Sequence, residues 1–262
     1  VRYNAPLPAD YVATKEECSS DSIEVLRLES EFGYQYSSVI GMLIYLLNTA
    51  FLLQFSIRKL AKFMAIPGRK HFEAASHLLR YLRCNYTALG LKYYPNLTMS
   101  PLHLPLKPLD SCPSNIQYFP IILFPDSSWQ DCPDTSRSTG SYLIYLNGGL
   151  IDGASFVPSP VALSSAESEY NAGAHGVTGA LHSKQLYQTM RGRDPDAQLT
   201  MPMFVDSQSA IAMSRNSRDT RQTRHIQRRY PYVLHAVAHG DGLPRKIPCE
   251  VTPTEAGPQE SG

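Results

Sequence analysis

The stretch Val161 to Ala174, VALSSAESEYNAGA, decides how the chain is read. Its valine and the alternation before it have strand character. Ser164 or Ser165 can cap a helix, and Glu167 falls where a carboxylate favours a helix start. The stretch therefore turns from a strand into a helix while presenting two carboxylates, Glu167 and Glu169. Taken alone, it describes a capping box on a surface helix. It acquires chemistry if one of the glutamates meets Asp126 and Asp206, two aspartates that each follow a short apolar run.

Outward from this stretch the same theme recurs on both sides. Downstream, MPMFVDSQSAIAM sets a short strand, Met203 to Val205, before Asp206 and a helix opened by Ser207. Upstream, Ile121 to Phe124 is ended by Pro125-Asp126, Tyr142 to Leu146 alternates up to the turn Asn147-Gly148-Gly149, and Leu150 to Val157 makes a third strand. The helix begun at Ser164 or Ser165 can run to about Met190. A helical stretch from about Thr223 to Ala238 follows, in which Pro231 removes a backbone donor unless a helix begins at it, and Arg245 to Val251 reads as a last strand. The expected order is β-β-β-α-β-α-α-β, a mixed α/β sheet. Carboxylates distributed over its first strand, first helix and fourth strand suit hard cations such as Mg²⁺. Such ions take oxygen ligands and, as pairs about 3.5–4 Å apart, need several carboxylates from separate elements.

The first third of the chain is different. Phe32 to Ile57 carries no charge, long enough for a membrane span, but Asn48, Thr49 and Gln54 interrupt it. Beyond it Ile57, Leu60, Ala61 and Met64 recur at helical spacing opposite Arg58, Lys59 and Lys62, so two packed helices are expected rather than a membrane segment. After Pro67-Gly68 a third helix runs from His71 to Arg83, with His71 and His77 as surface or helix-face residues rather than ligands. Residues 1–35 read as an extended lead-in, 36–95 as a helical segment, 96–118 as a proline-rich linker, and 119–262 as the α/β domain. With 262 residues, 43% hydrophobic and 18% charged, the chain can bury a real core. A net charge of +1 leaves any affinity for nucleic acid to a local patch. Five scattered cysteines without a CxxC pair argue for a reducing compartment and against a zinc site.

Several long motifs in order now carry a resemblance. YSSVIGMLIYLLNT, FSIRKLAKFM and HFEAASHLLRYLR resemble the segment that links reverse transcriptase to ribonuclease H in the Pol polyprotein of copia-type LTR retrotransposons. FPDSSWQDCPDTSRSTGSYLIYLNGG, VALSSAESEY, VDSQSAIAM and TRHIQRR resemble the ribonuclease H domain of that family. The resemblance implies a ribonuclease-H-like fold, two Mg²⁺ (or Mn²⁺) ions, and hydrolysis of the RNA strand of RNA–DNA hybrids. It implies as partner the upstream reverse transcriptase domain of the same polyprotein. The implied location is intracellular, in a cytoplasmic virus-like particle or the nucleus. No strand hairpin with paired aspartates occurs in residues 1–100, so polymerase activity is not expected of this chain.

Carried over by motif, Asp126 is the implied bridging ligand, Asp206 a second and Glu169 a third, since Tyr170 and Ala172 follow it as in the family; Glu167 is the alternate. Glu255, after Thr252-Pro253-Thr254, stands where the family has Asp, one methylene shorter. Ala50-Phe51-Leu52 replaces the usual Arg-Pro-Asp. These departures set a second reading beside the enzyme: a catalytically impaired nucleic-acid-binding module or Pol remnant. Arg215, Arg218, Arg221, Arg224, Arg228 and Arg229 form a basic run suited to phosphates. Trp129 and Tyr142 are expected to pack in the core.

Overall fold

The structure is a computed structural model that describes residues 3–9, 11–12, 14–87, 121–146, 149–158, 161–194, 201–215 and 231–246. The chain divides into two compact units. One comprises Val1–Leu91 with Gln130–Arg137 and Ala154–Val157; the other comprises Lys92–Trp129, Ser138–Gly153 and Pro158–Gly262.

The first unit is helical: α1 (Ser22–Phe32), α2 (Tyr36–Leu46), α3 (Gln54–Ala61) and α4 (Arg69–Asn85). Tyr36, Ile40, Leu53, Ile57, Leu60, Phe72 and Leu78 fill its core, and the Tyr36 hydroxyl donates to the Leu60 carbonyl at 3.0 Å. The uncharged run is thus two short helices, α2 and α3, and among the described residues no helix is long and apolar enough to cross a membrane. One expectation is corrected here and one is narrowed. Ser22–Phe32, read as part of an extended lead-in, is a helix: Asp21 accepts from the Glu24 N–H as its cap, and Gly33, at φ 75°, ends it in the left-handed region. His71, read as a surface or helix-face residue, lies on the buried face of α4, fully buried and stacked on Phe63, its Nδ1 accepting from the Gly68 N–H at 2.9 Å.

The second unit contains β1 (Ile121–Ser128), β2 (Thr139–Leu146), β3 (Gly149–Phe156), α5 (Ser165–Met190), β4 (Met201–Val205), α6 (Gln208–Arg215), α7 (Pro231–Ala238) and β5 (Gly242–Lys246), with the end of β3 counted in the helical unit. This is the expected order, and the five strands form one mixed sheet, β3-β2-β1-β4-β5, of ribonuclease-H-like type. β1 is antiparallel to β2 and parallel to β4, which is parallel to β5. α7 begins at Pro231, where the missing N–H has no intrahelical partner to lose.

Three boundaries differ from expectation. Pro125 does not end β1; the ladder with β2 continues through Asp126↔Ser141 to Ser128↔Thr139. Among the described residues no strand leads directly into α5: β3 stops at Phe156, and residues 161–164 belong to no strand. The last strand starts at Gly242, three residues before the expected Arg245. The proposed linker at 96–118 lies outside the described residues.

Small residues set how closely α5 approaches the sheet. Ala174, Val177 and Ala180 pack with Ile121, Leu123, Ile144 and Met203 in the core. A Cβ on Gly176 would stand 2.8 Å from Leu123 Cδ1 and 3.1 Å from Tyr142 Cβ. Glycine costs a helix interior about 1 kcal/mol relative to alanine, and here the close approach of helix to strand explains its use. Gly176→Val should therefore force α5 away from β1 and destabilise this unit by about 1–3 kcal/mol, read as a lower urea midpoint; an unchanged midpoint would show that the contact is slack.

Candidate metal centre

Three acidic side chains converge at one end of the β1–β4 pair. β1 and β4 run parallel with Leu123 opposite Met203, so the residues three further on, Asp126 and Asp206, arrive together. Glu169 enters from the first turns of α5. One carboxylate oxygen from each of Asp126, Glu169 and Asp206 lies within 4.8 Å of the others. Glu169 is 7% exposed, whereas the two aspartates reach solvent.

The two glutamates have separate tasks. Glu167 serves the helix start: its N–H donates to the N-cap Ser164 Oγ at 3.2 Å, and its Oε2 accepts from the N–H of Leu163, the residue before the cap, at 2.8 Å. Glu169, one residue pair along the helix, points to the aspartates instead. Its Oε1 accepts from the Ser127 hydroxyl at 2.9 Å, and its Oε2 is buried without a hydrogen-bond partner.

Electrostatics mark the cluster as strained when empty of positive charge. Burial, then the charge of Asp206, pushes the Glu169 carboxyl up to about 7, against the partial relief of the Ser127 hydrogen bond. Crowding by protein atoms, then the same Asp206 charge, raises Asp126. Among the described residues, no Lys, Arg or His forms an ion pair with any of the three. An all-oxygen donor set, mutual repulsion and an orphaned buried oxygen together fit a divalent cation.

Arg215 closes α6, and its side chain lies outside the described residues, as do Arg218, Arg221, Arg224, Arg228, Arg229 and Glu255. Trp129 is corrected from core to surface: it is 45% exposed, its indole N–H donating to the Ala162 carbonyl at 3.2 Å. Tyr142 is partly buried against the core, as expected. Sequence reading overlooked Ser127; its only signal is a hydroxyl directly after the strand aspartate.

The mixed sheet is of ribonuclease-H-like fold, and it carries a three-carboxylate cluster at the β1–β4 end. No family model matches the chain. It is 28% identical over 204 residues, 77% of its length, to the retrovirus-related Pol polyprotein from transposon TNT 1-94 of Nicotiana tabacum, and 24% identical over 208 residues to that from transposon RE1 of Arabidopsis thaliana. It is 30% identical over 138 residues, 52% of its length, to secreted RxLR effector protein 161 of Plasmopara viticola, of which it covers 82%. The chain belongs to the sequence family that contains these proteins and corresponds to a C-terminal Pol segment of copia type. It spans only 13% and 12% of the two Pol polyproteins. Among solved structures, it is similar to ribonuclease H1 of Halobacterium salinarum (TM-score 0.33, 13% identity, 50% of this chain and 86% of that one). It is also similar to LC11-RNase H1 from compost (TM-score 0.35, 15% identity, 50% and 85%).

The raised Glu169 carboxyl fixes the sign of a pH effect. A carboxylate whose folded value lies above its unfolded one costs nothing while protonated, and its cost develops as pH climbs from the unfolded value near 4.5 through about 7. In a chelator, thermal unfolding should therefore occur at lower temperature at pH 8 than at pH 5.5, and Glu169→Gln should flatten that dependence. Equal slopes for the two proteins in circular-dichroism melts would refute the assignment.

Proposed function

We propose that this chain is the ribonuclease H domain of a retrotransposon Pol polyprotein, hydrolysing the RNA strand of RNA–DNA hybrids with two divalent ions, Mg²⁺ or Mn²⁺. The observation that carries the reading is the convergence of Asp126, Glu169 and Asp206 within 4.8 Å. In this reading those three residues and Glu255 would hold the cations, Asp126 serving as a ligand common to both. The chemistry such ions supply when bound is Lewis acidity: acidification of water and neutralisation of charge on a scissile phosphate.

The protein's own part is placement. Asp126 lies on β1, Asp206 directly follows the paired strand β4, and Glu169 lies on a packed helix, a rigid framework of the kind that precise ligand placement needs. The basic run Arg215, Arg218, Arg221, Arg224, Arg228 and Arg229 would neutralise hybrid phosphates, giving affinity that falls with salt. Discrimination of RNA from DNA would rest on contacts to the 2′-hydroxyl and on groove shape. The reading puts the domain beside an upstream reverse transcriptase domain, in a cytoplasmic particle or the nucleus.

The test is cleavage of a labelled RNA–DNA hybrid in Mg²⁺ or Mn²⁺. The chain should cleave it, and Asp126→Asn should lower the rate by at least about 100-fold while leaving hybrid binding in chelator intact. Glu255→Gln should slow cleavage if Glu255 is the fourth ligand. Salt-dependent hybrid binding by a folded chain that cleaves nothing would overturn the enzyme reading in favour of a binding module.

A further inference from the structure

We propose that Ser127 is a positioning residue of the cation site: its hydroxyl holds Glu169 by one carboxylate oxygen so that the other is kept for the metal. This rests on the metal-binding reading above and assigns a new role within it. A glutamate carried by a helix has three rotatable bonds, and the charges of Asp126 and Asp206 both act to expel its carboxylate from the cluster. Something must hold it in place before a cation arrives. The Ser127 Oγ–Glu169 Oε1 hydrogen bond, at 2.9 Å, is the one side-chain contact found for that carboxylate among the described residues, and Oε2 beside it has no partner.

The strand explains why this position can do so. Alternation puts Ser127 on the face of β1 that carries Ile121 and Leu123, the face on which α5 packs through Gly176. Asp126, its neighbour, belongs to the opposite alternation. One strand therefore supplies a ligand from one residue and a tether for a second ligand from the next. The residue opposite Ser127 on β2 is Gly140, which has no side chain to compete for the space Glu169 occupies. The Ser127 N–H contributes as well, favouring the ionised forms of both Asp126 and Glu169. A hydroxyl here is a neutral donor: it orients the carboxylate without cancelling the charge the cation needs.

The test uses a matched pair. Ser127→Thr keeps the hydroxyl and Ser127→Val has the same shape without it, and both β-branched side chains suit a strand. The full chain, freed of metal, is titrated with Mn²⁺ by electron paramagnetic resonance of the free ion, and the Mg²⁺ requirement for hybrid cleavage is measured in parallel. Ser127→Val should bind Mn²⁺ about tenfold or more weakly than wild type, with Ser127→Thr close to wild type. The hybrid KM should be the same in all three, which a merely loosened fold would not preserve. Equal Mn²⁺ affinity for Thr and Val variants would overturn the role of the hydroxyl while leaving the metal site standing. Failure of wild type to bind Mn²⁺ more tightly than Asp126→Asn would overturn both, and that comparison separates the two failures.

Discussion

The register of β1 against β4 is the constraint on which the site depends. With Leu123 opposite Met203, the parallel strands deliver Asp126 and Asp206 to the same level, and a slip of one residue would send one of them to the other face. That register is held by what lies on its buried side. Ile121, Leu123, Met201, Met203 and Val205 are all within the core, so slipping would expose a row of apolar side chains. At about 25 cal/mol per Å² of apolar area, such a row outweighs the repulsion between two partly hydrated carboxylates. Hydrophobic burial thereby holds together like charges that would otherwise separate.

The helix brings the third charge by a different device. α5 is poor in large side chains where it crosses the sheet, and Gly176 brings its backbone close to Leu123 and Tyr142. Close contact there leaves Glu169, two turns earlier, near enough to reach the strand. Further along, Lys184 is buried and pairs with Asp241 at 2.5 Å, tying the same helix to the turn before β5. Leaving either partner of such a pair alone costs several kcal/mol, so the helix cannot easily rotate about its axis. The orientation that Glu169 needs is thus specified at both ends of α5.

How much of this was legible in the sequence varied with how local the signal was. The order of strands and helices was legible because Ser164, Asn147-Gly148 and Ser207 are local punctuation with a fixed meaning. The motifs also singled out Asp126, Glu169 and Asp206, whose carboxylates the structure brings within 4.8 Å of one another. The helix at Ser22 was obscured because its apolar pattern is weak, and only Asp21 and Gly33 announce its ends. The continuation of β1 past Pro125 depends on pairing with Thr139–Ser141, a non-local fact. Burial of His71 and exposure of Trp129 likewise depend on what packs nearby, which spacing does not encode. The division of labour between Glu167 and Glu169 needed coordinates, since both lie in the first two turns of the helix and both are buried.

Buried charge in proteins is ordinarily answered by an opposite charge or by a metal. The two clusters of charge in the α/β unit take opposite courses. Lys184 and Asp241 answer each other directly, and the pair is neutral in itself. Asp126, Glu169 and Asp206 have no such partner among the described residues; burial and mutual repulsion raise Glu169 to about 7, so near neutral pH a proton provides part of the answer. A proton on one carboxylate relieves one charge, whereas a divalent cation held there would relieve two. The same arrangement that costs stability in the metal-free chain therefore favours a divalent ion over a monovalent one. A site built only to be stable would place a lysine there, as the other end of α5 does.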